Sequence, residues 1–295
     1  ERKILYIIKN KKVTEIFVGN RHAPPDRLLI EIAKEFKIPV NLIEDGLTNY
    51  LDFRFNEDLS KNFSIKTFLK ESIKKVFIHF IKRSKLYEKN YEYIFDDIYA
   101  VFPSKYTNNN YKGKVKKINI KKHSDILSIR QMLEKDPAYM LLSKSRKNVL
   151  FLSQSLSEDK LIDLELEIDA ISTYLNRLND EGYQIFIKPH PRDSHYKINN
   201  LLLRLEGKKV YLFNSDIPIP VELLVSQINI EMLIGTWSAA LFYNSEIKKN
   251  VVNKSLLPYL IQYLKKFNED TSKLERIYNT INAKFPNTVY WESFY

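Results

Sequence analysis

The 295-residue chain has no cysteine and only six glycines, three methionines and two tryptophans. Without thiols there is no disulfide framework, no zinc–thiolate or iron–sulfur site and no cysteine nucleophile. So few glycines exclude a collagen-like or glycine-rich filament. Gly-x-Gly-x-x-Gly, the P-loop pattern and Gly-x-Ser-x-Gly are all missing, so nothing supports a nicotinamide enzyme, a P-loop kinase or a serine hydrolase. No run approaches the roughly 18 uncharged apolar residues that a membrane-crossing helix needs. Internal repeats and low-complexity tracts are absent too. The chain opens on Glu1-Arg2-Lys3, with neither an initiator Met nor a signal-peptide pattern, which suggests that its first lobe is truncated.

What is present argues for a folded protein. Hydrophobic residues make up 44% and charged residues 28%, too apolar for a disordered chain and enough for one large or two ordinary domains. The net charge of +11 is local. Lys61–Lys122 carries sixteen Lys and Arg against five Asp and Glu, a net of +11, so the rest of the chain is neutral. A basic insert in a neutral protein reads as a docking surface for something anionic.

Short β-branched runs alternate with helical stretches, the pattern of parallel α/β units. Residues 13–18 and 40–43 read as strands around a helix over Pro24–Phe36. Ser64–Lys89 reads as a long basic amphipathic helix, or two, with Phe68, Leu69, Ile73, Val76, Phe77, Phe80 and Ile81 in one stripe. Tyr99–Pro103 reads as a strand, Asp96-Asp97 as a helix face and Ile126–Met140 as helical. Lys144–Lys147 is the candidate linker. Beyond it the pattern restarts with strands at Asn148–Ser153, Tyr183–Ile187 and Val210–Phe213, helices at Ile162–Asn179 and Pro220–Val225, and a buried run Ile228–Ile234. The expectation is two Rossmann-like lobes, residues 1–146 and 147–295, facing across a ligand cleft.

Functional groups in such sheets gather where strands end, and three places qualify. Glu44-Asp45-Gly46 follows a four-residue apolar strand, and its carboxylates are either a general base or solvated turn acids. Lys188-Pro189-His190-Pro191-Arg192 holds a histidine between two prolines and two cations. This suits a phosphate and a proton donor, or else a structural histidine. Gly235-Thr236-Trp237-Ser238 leads into a helix from about Ala239. There Ser238 is an anion contact, an N-cap, or both. His190 and His195 are five apart without a third ligand nearby, so no metal site is expected.

The order Glu-Asp-Gly, Lys-Pro-His-Pro and then a serine-bearing turn resembles the bacterial sialyltransferases of glycosyltransferase families 38, 52 and 80. Val221-Glu222-Leu223-Leu224, with Glu222 sixteen residues before Ser238, and Leu150–Glu158 also look like segments of these proteins. The resembling motifs extend from residue 44 to 240. One departure is Ala239, where the family commonly has a second hydroxyl after the serine; Thr236 is the candidate substitute. The resemblance implies a GT-B fold with an acceptor-side N-terminal lobe and a C-terminal lobe binding CMP-sialic acid, the donor substrate, with no cofactor. It implies that Glu44 is the general base, with Asp45 the fallback, and that His190 is the general acid to the departing phosphate. Ser238 and Thr236 would hold that phosphate and Glu222 the ribose, while Lys188 and Pro191 shape the nucleotide pocket.

A donor leaving as CMP carries one phosphate, so a cation and a proton donor suffice without a bridging metal. Attack from the opposite face inverts the anomeric centre in one displacement. The resemblance places the acceptor, a lipooligosaccharide galactoside or a growing capsule or polysialic acid chain, at the inner face of the bacterial cytoplasmic membrane. There Lys61–Lys122 would make a peripheral contact, whether its apolar stripe packs on the sheet, the favoured reading, or lies in the interface. The alternatives are a CMP-Kdo transferase and a non-catalytic binder of anionic glycan or lipid. No nucleic-acid signature appears.

Overall fold

The computed structural model describes residues 2–19, 24–44, 46–47, 50, 93–106, 111–119, 131, 133–142, 147–213 and 220–293. The chain divides into two compact units, Glu1–Ile118 and Asn119–Tyr295. Each is built on a parallel sheet with helices, the α/β class with two Rossmann-like units that the sequence predicts. The division falls earlier than the expected 146/147. Helix α3, Pro137–Leu142, belongs to the second unit because the Asn148 side chain donates both to Leu142 O (2.8 Å) and to Asn229 O (2.9 Å). The candidate linker residues 144–146 and the helical reading over 126–130 lie outside the described residues, as does Ser64–Lys89.

In the first unit, α1 (Arg2–Asn10) and α2 (Pro24–Glu35) accompany β1 (Ile16–Val18), β2 (Val40–Ile43), β3 (Tyr93–Ala100) and β4 (Tyr111–Lys117), paired in chain order. Val18, Ile30, Ala33, Leu42, Phe95 and Ile98 form its core. Two expectations fail here. The strand expected over Tyr99–Pro103 runs instead from Tyr93 to Ala100, and Pro103, which has no N–H for a ladder, opens a 3₁₀ turn. Asp96 and Asp97 are strand residues rather than a helix face: Asp96 accepts the Val40 N–H at 2.8 Å and Asp97 pairs with Lys116 at 2.6 Å. The end of the basic segment is therefore sheet. Its Gly113 is needed there, since a Cβ would lie 2.7 Å from Phe95 O.

The second unit holds β5 (Asn148–Leu152), α4 (Leu164–Asp180), β6 (Gln184–Lys188), α5 (His195–Arg204), β7 (Val210–Leu212), α6 (Val221–Gln227), β8 (Met232–Gly235), α7 (Ala239–Ile247), β9 (Val252–Ser255), α8 (Leu257–Lys265), α9 (Ser272–Lys284) and β10 (Tyr290–Trp291). Strands covered on both faces read as continuous apolar runs rather than alternations. All five residues of β5 are buried accordingly, and each of its Val, Leu and Phe side chains stabilises the fold by about 1.5–3 kcal/mol. Asp163 caps α4 by accepting the N–H groups of Glu165 and Leu166, and Ser194 caps α5. The sheet order is β7-β6-β5-β8-β9-β10, the doubly wound order whose direction of growth reverses between β5 and β8. Chain beyond Ile247, unassigned from sequence, supplies β9, the edge strand β10 and two helices. Among the described residues no helix is long and apolar enough to cross a membrane.

Candidate functional site

In the first unit the tip of β2 carries Glu44. Its N–H donates to Tyr99 O at 3.0 Å, so the ladder continues one residue past the strand. Oε2 of Glu44 accepts the Val101 N–H at 2.8 Å and the Tyr50 hydroxyl, and that hydroxyl accepts the Phe102 N–H at 2.9 Å. Tyr50 is fully buried. Gly46 has φ 93°, the left-handed conformation that only glycine adopts without strain. Glu44 thus ties the turn to the end of β3. Asp45 lies outside the described residues.

In the second unit the tip of β6 carries the histidine. His190 N–H donates to Asp193 Oδ2 at 2.7 Å, and Asp193 N–H returns a bond to His190 O at 2.9 Å. The Arg192 N–H donates to His190 Nδ1 at 3.2 Å. With Nδ1 accepting, the hydrogen of the neutral ring resides on Nε2. Burial lowers the pKa of His190 from its usual 6.5, opposed by the Asp193 carboxylate and assisted by the Arg192 cation. Burial also lowers that of Lys188, with Asp136 acting the other way. Of the two cations flanking the histidine, Arg192 is engaged in a two-pronged pair with Asp159 at 2.5 and 2.9 Å. Pro191 is exposed.

At the tip of β8 the backbone passes closely over β5. A Cβ on Gly235 would lie 3.3 Å from Leu152 O and 3.4 Å from the Leu241 side chain. Gln154, just beyond β5, reaches across. Its Oε1 accepts the Trp237 N–H at 2.7 Å, the Thr236 N–H at 3.2 Å and the Thr236 hydroxyl. Ser255 Oγ donates to Thr236 O. Thr236 is therefore buried and its hydroxyl is committed to Gln154. Ser238 stands at the N-cap of α7, yet its hydroxyl makes no capping bond, unlike the cap expected of it. Glu222 sits half-buried in the first turn of α6, and burial raises its pKa.

A cluster that sequence reasoning missed braces both tips. Lys197 Nζ, 1% exposed, lies 2.5 Å from Gln154 O, 2.5 Å from Glu167, 3.0 Å from Asp193 and 3.4 Å from Glu158. Burial alone would lower its pKa, but the Glu167 and Asp193 carboxylates outweigh that and raise it, so the ammonium stays charged. One cation thereby fixes the segment after β5, helix α4 and the histidine turn. Only Asp193-x-x-x-Lys197, one helical turn, was visible as a sequence signal; Glu167 is thirty residues away. Among the described residues no three His, Cys, Asp or Glu side chains group as metal ligands.

The profile of the alpha-2,8-polysialyltransferase family matches residues 2–256. No curated protein sequence matches significantly. A solved structure, UDP-GlcNAc 2-epimerase from Methanocaldococcus jannaschii, is similar over 96% of this chain and 80% of its own, at 14% identity and a TM-score of 0.47.

Proposed function

Because the chain belongs to the alpha-2,8-polysialyltransferase family and so is a glycosyltransferase that uses CMP-sialic acid, we propose that it adds sialic acid to a growing anionic sialyl chain by one inverting displacement. The donor is CMP-sialic acid and the acceptor a glycan. The reading is carried by the strand tips beside the point where the second sheet reverses, with the Nε2 edge of His190 and the uncapped Ser238 hydroxyl at the ends of β6 and β8.

In this mechanism the Glu44 carboxylate, or Asp45 in its place, takes the proton of the acceptor hydroxyl. The acceptor oxygen bonds to the anomeric carbon as the bond from that carbon to the phosphate oxygen breaks, and CMP departs with the electron pair. His190 donates from Nε2 to the departing phosphate. A nucleoside monophosphate is a good leaving group, so that hydrogen bond in a partly desolvated site serves without an imidazolium. Lys188 offsets the phosphate charge, Ser238 donates to it, and Thr236 shapes the turn that presents it. Glu222 accepts from the ribose hydroxyls and Pro191 borders the base. One phosphate needs no metal bridge, so transfer should survive EDTA. The charge of Lys61–Lys122 draws the enzyme to the acidic inner face of the bacterial membrane, at about 1 kcal/mol per basic residue near the surface. Binding to anionic vesicles that persists after neutralising Lys74, Lys75, Lys82 and Arg83 would sink that part.

The test is incubation with CMP-sialic acid and a panel of oligosialic acids and neutral galactosides, with product anomers read by NMR. Elongated oligosialic acid of inverted configuration is expected. Retention, or release of CMP only from CMP-Kdo, would overturn the reading.

A further inference from the structure

We propose that the side-chain amide of Gln154 donates a hydrogen bond to the phosphate of the CMP donor, an assignment that rests on the donor-binding role given above to the second unit. The Gln154 amide faces the clasp with its oxygen. Two backbone N–H groups, those of Thr236 and Trp237, point at one atom of the Gln154 side chain, 3.2 and 2.7 Å away. Backbone N–H groups only donate, so that atom is the oxygen and the NH₂ group points away from the clasp. Among the described residues this NH₂ group has no acceptor, although the residue is half-buried.

The amide is also rigid. The Gln154 carbonyl accepts the Leu156 N–H at 2.9 Å and the buried Lys197 ammonium at 2.5 Å. Main chain and side-chain oxygen are thus both pinned, which removes most of the entropy a glutamine normally loses on gripping a ligand. The location adds a second indication. Gln154 follows β5 and clasps the turn after β8, the two strands between which the sheet order reverses. In such sheets anionic ligands sit outside the strand ends at that position. Ser153, directly before it, has a buried hydroxyl that finds no hydrogen-bond partner among the described residues, and a buried polar atom without a partner asks for one. The turn that Gln154 holds ends at Ser238, whose hydroxyl is likewise free of any capping bond. A phosphate presents several negatively charged acceptor oxygens on one centre, which makes stronger hydrogen bonds with such donors than the neutral acceptors spread over a nucleoside's base and ribose.

The variant Gln154→Glu tests this directly, because it keeps an oxygen for the three donors and replaces the NH₂ group by a second, negatively charged oxygen. Calorimetry with CMP and with cytidine, alongside thermal unfolding, is the measurement. CMP affinity should fall by about 10- to 100-fold, the range for losing a hydrogen bond to a charged group. Cytidine affinity and the melting temperature should change little. Undiminished CMP affinity, or an equal loss for cytidine, overturns the assignment. Should the variant melt early, the wild-type protein decides: the Gln154 side-chain amide resonance should shift and exchange more slowly with CMP but not with cytidine, and no such change refutes the contact. Wild-type protein that ignores CMP would instead refute the donor-site reading itself, so the two failures are distinct.

Discussion

At the tip of β2 the Glu44 carboxylate is itself a strut, accepting the Val101 N–H and the Tyr50 hydroxyl that hold the turn to β3. At the tips of β6 and β8 other atoms do the holding. His190 is fixed through its backbone and Nδ1, the Thr236–Trp237 turn through Gln154, and both through Lys197. That leaves the His190 Nε2 edge and the Ser238 hydroxyl outside the network. An orienting contact uses up a lone pair or a proton of the group it holds. Where the group proposed to react is also the brace, substitutions should damage fold and chemistry together. Where bracing is delegated, the two should separate.

The largest separation should come from Lys197→Met. Removing the cation leaves Glu158, Glu167 and Asp193 facing one another in a buried space, at a cost of about 3–5 kcal/mol, and thermal unfolding should show it. A variant as stable as wild type would mean that the tips do not depend on this brace.

His190→Ala should be the reverse case. Turnover should drop by about 10²–10⁴-fold with CMP affinity and melting temperature close to wild type. The pH profile sharpens this. Burial holds the folded-state pKa below 6.5, so the ring is neutral at pH 7. As pH falls through that window the unfolded chain takes up the proton first, and stability declines with it. Protonation at Nδ1 removes the acceptor for the Arg192 N–H that orients the ring, so transfer through a neutral Nε2–H should fall on the same acidic side; activity that rises toward acid would assign the imidazolium instead.

Glu44 should show the mixed phenotype. Glu44→Ala orphans two donors and should lose about 1–3 kcal/mol of stability along with transfer, whereas Glu44→Gln keeps an acceptor and should lose chiefly transfer. If Asp45→Asn is the inactive variant and Glu44→Gln is active, the base is Asp45 and Glu44 is only the strut.

The smallest effect belongs to Ser238→Ala. Its hydroxyl caps nothing, so unfolding should move by no more than about 0.5 kcal/mol, while CMP affinity falls. Asp163→Ala, which removes a working cap from α4, should cost about 1 kcal/mol in the same assay. Equal losses for the two would show that Ser238 caps after all.

Much of this was written along the chain. Local periodicity is a nearest-neighbour property, so β2, β5, β6, α2 and α4 were legible within a residue or two, and so was the alternation that implies parallel sheets. Strand tips followed from those boundaries, which is why Glu44, His190 and Ser238 stood out. The sequence could not show that Tyr93–Ala100 and the lysine-rich β4 form a sheet, because charge hides strand patterning and the register depends on Asp97 meeting Lys116 and on Gly113 fitting against Phe95. Nor could it show what holds the tips. Gln154 and Thr236 are 82 residues apart and Lys197 is 43 from Gln154; only the side-by-side pairing of β6, β5 and β8 brings them within hydrogen-bond reach. Residue type and local order determined which groups could do the chemistry, whereas tertiary packing decided which atoms of those groups the fold uses and which it leaves for a ligand, because buried donors must find partners wherever the folded chain places them.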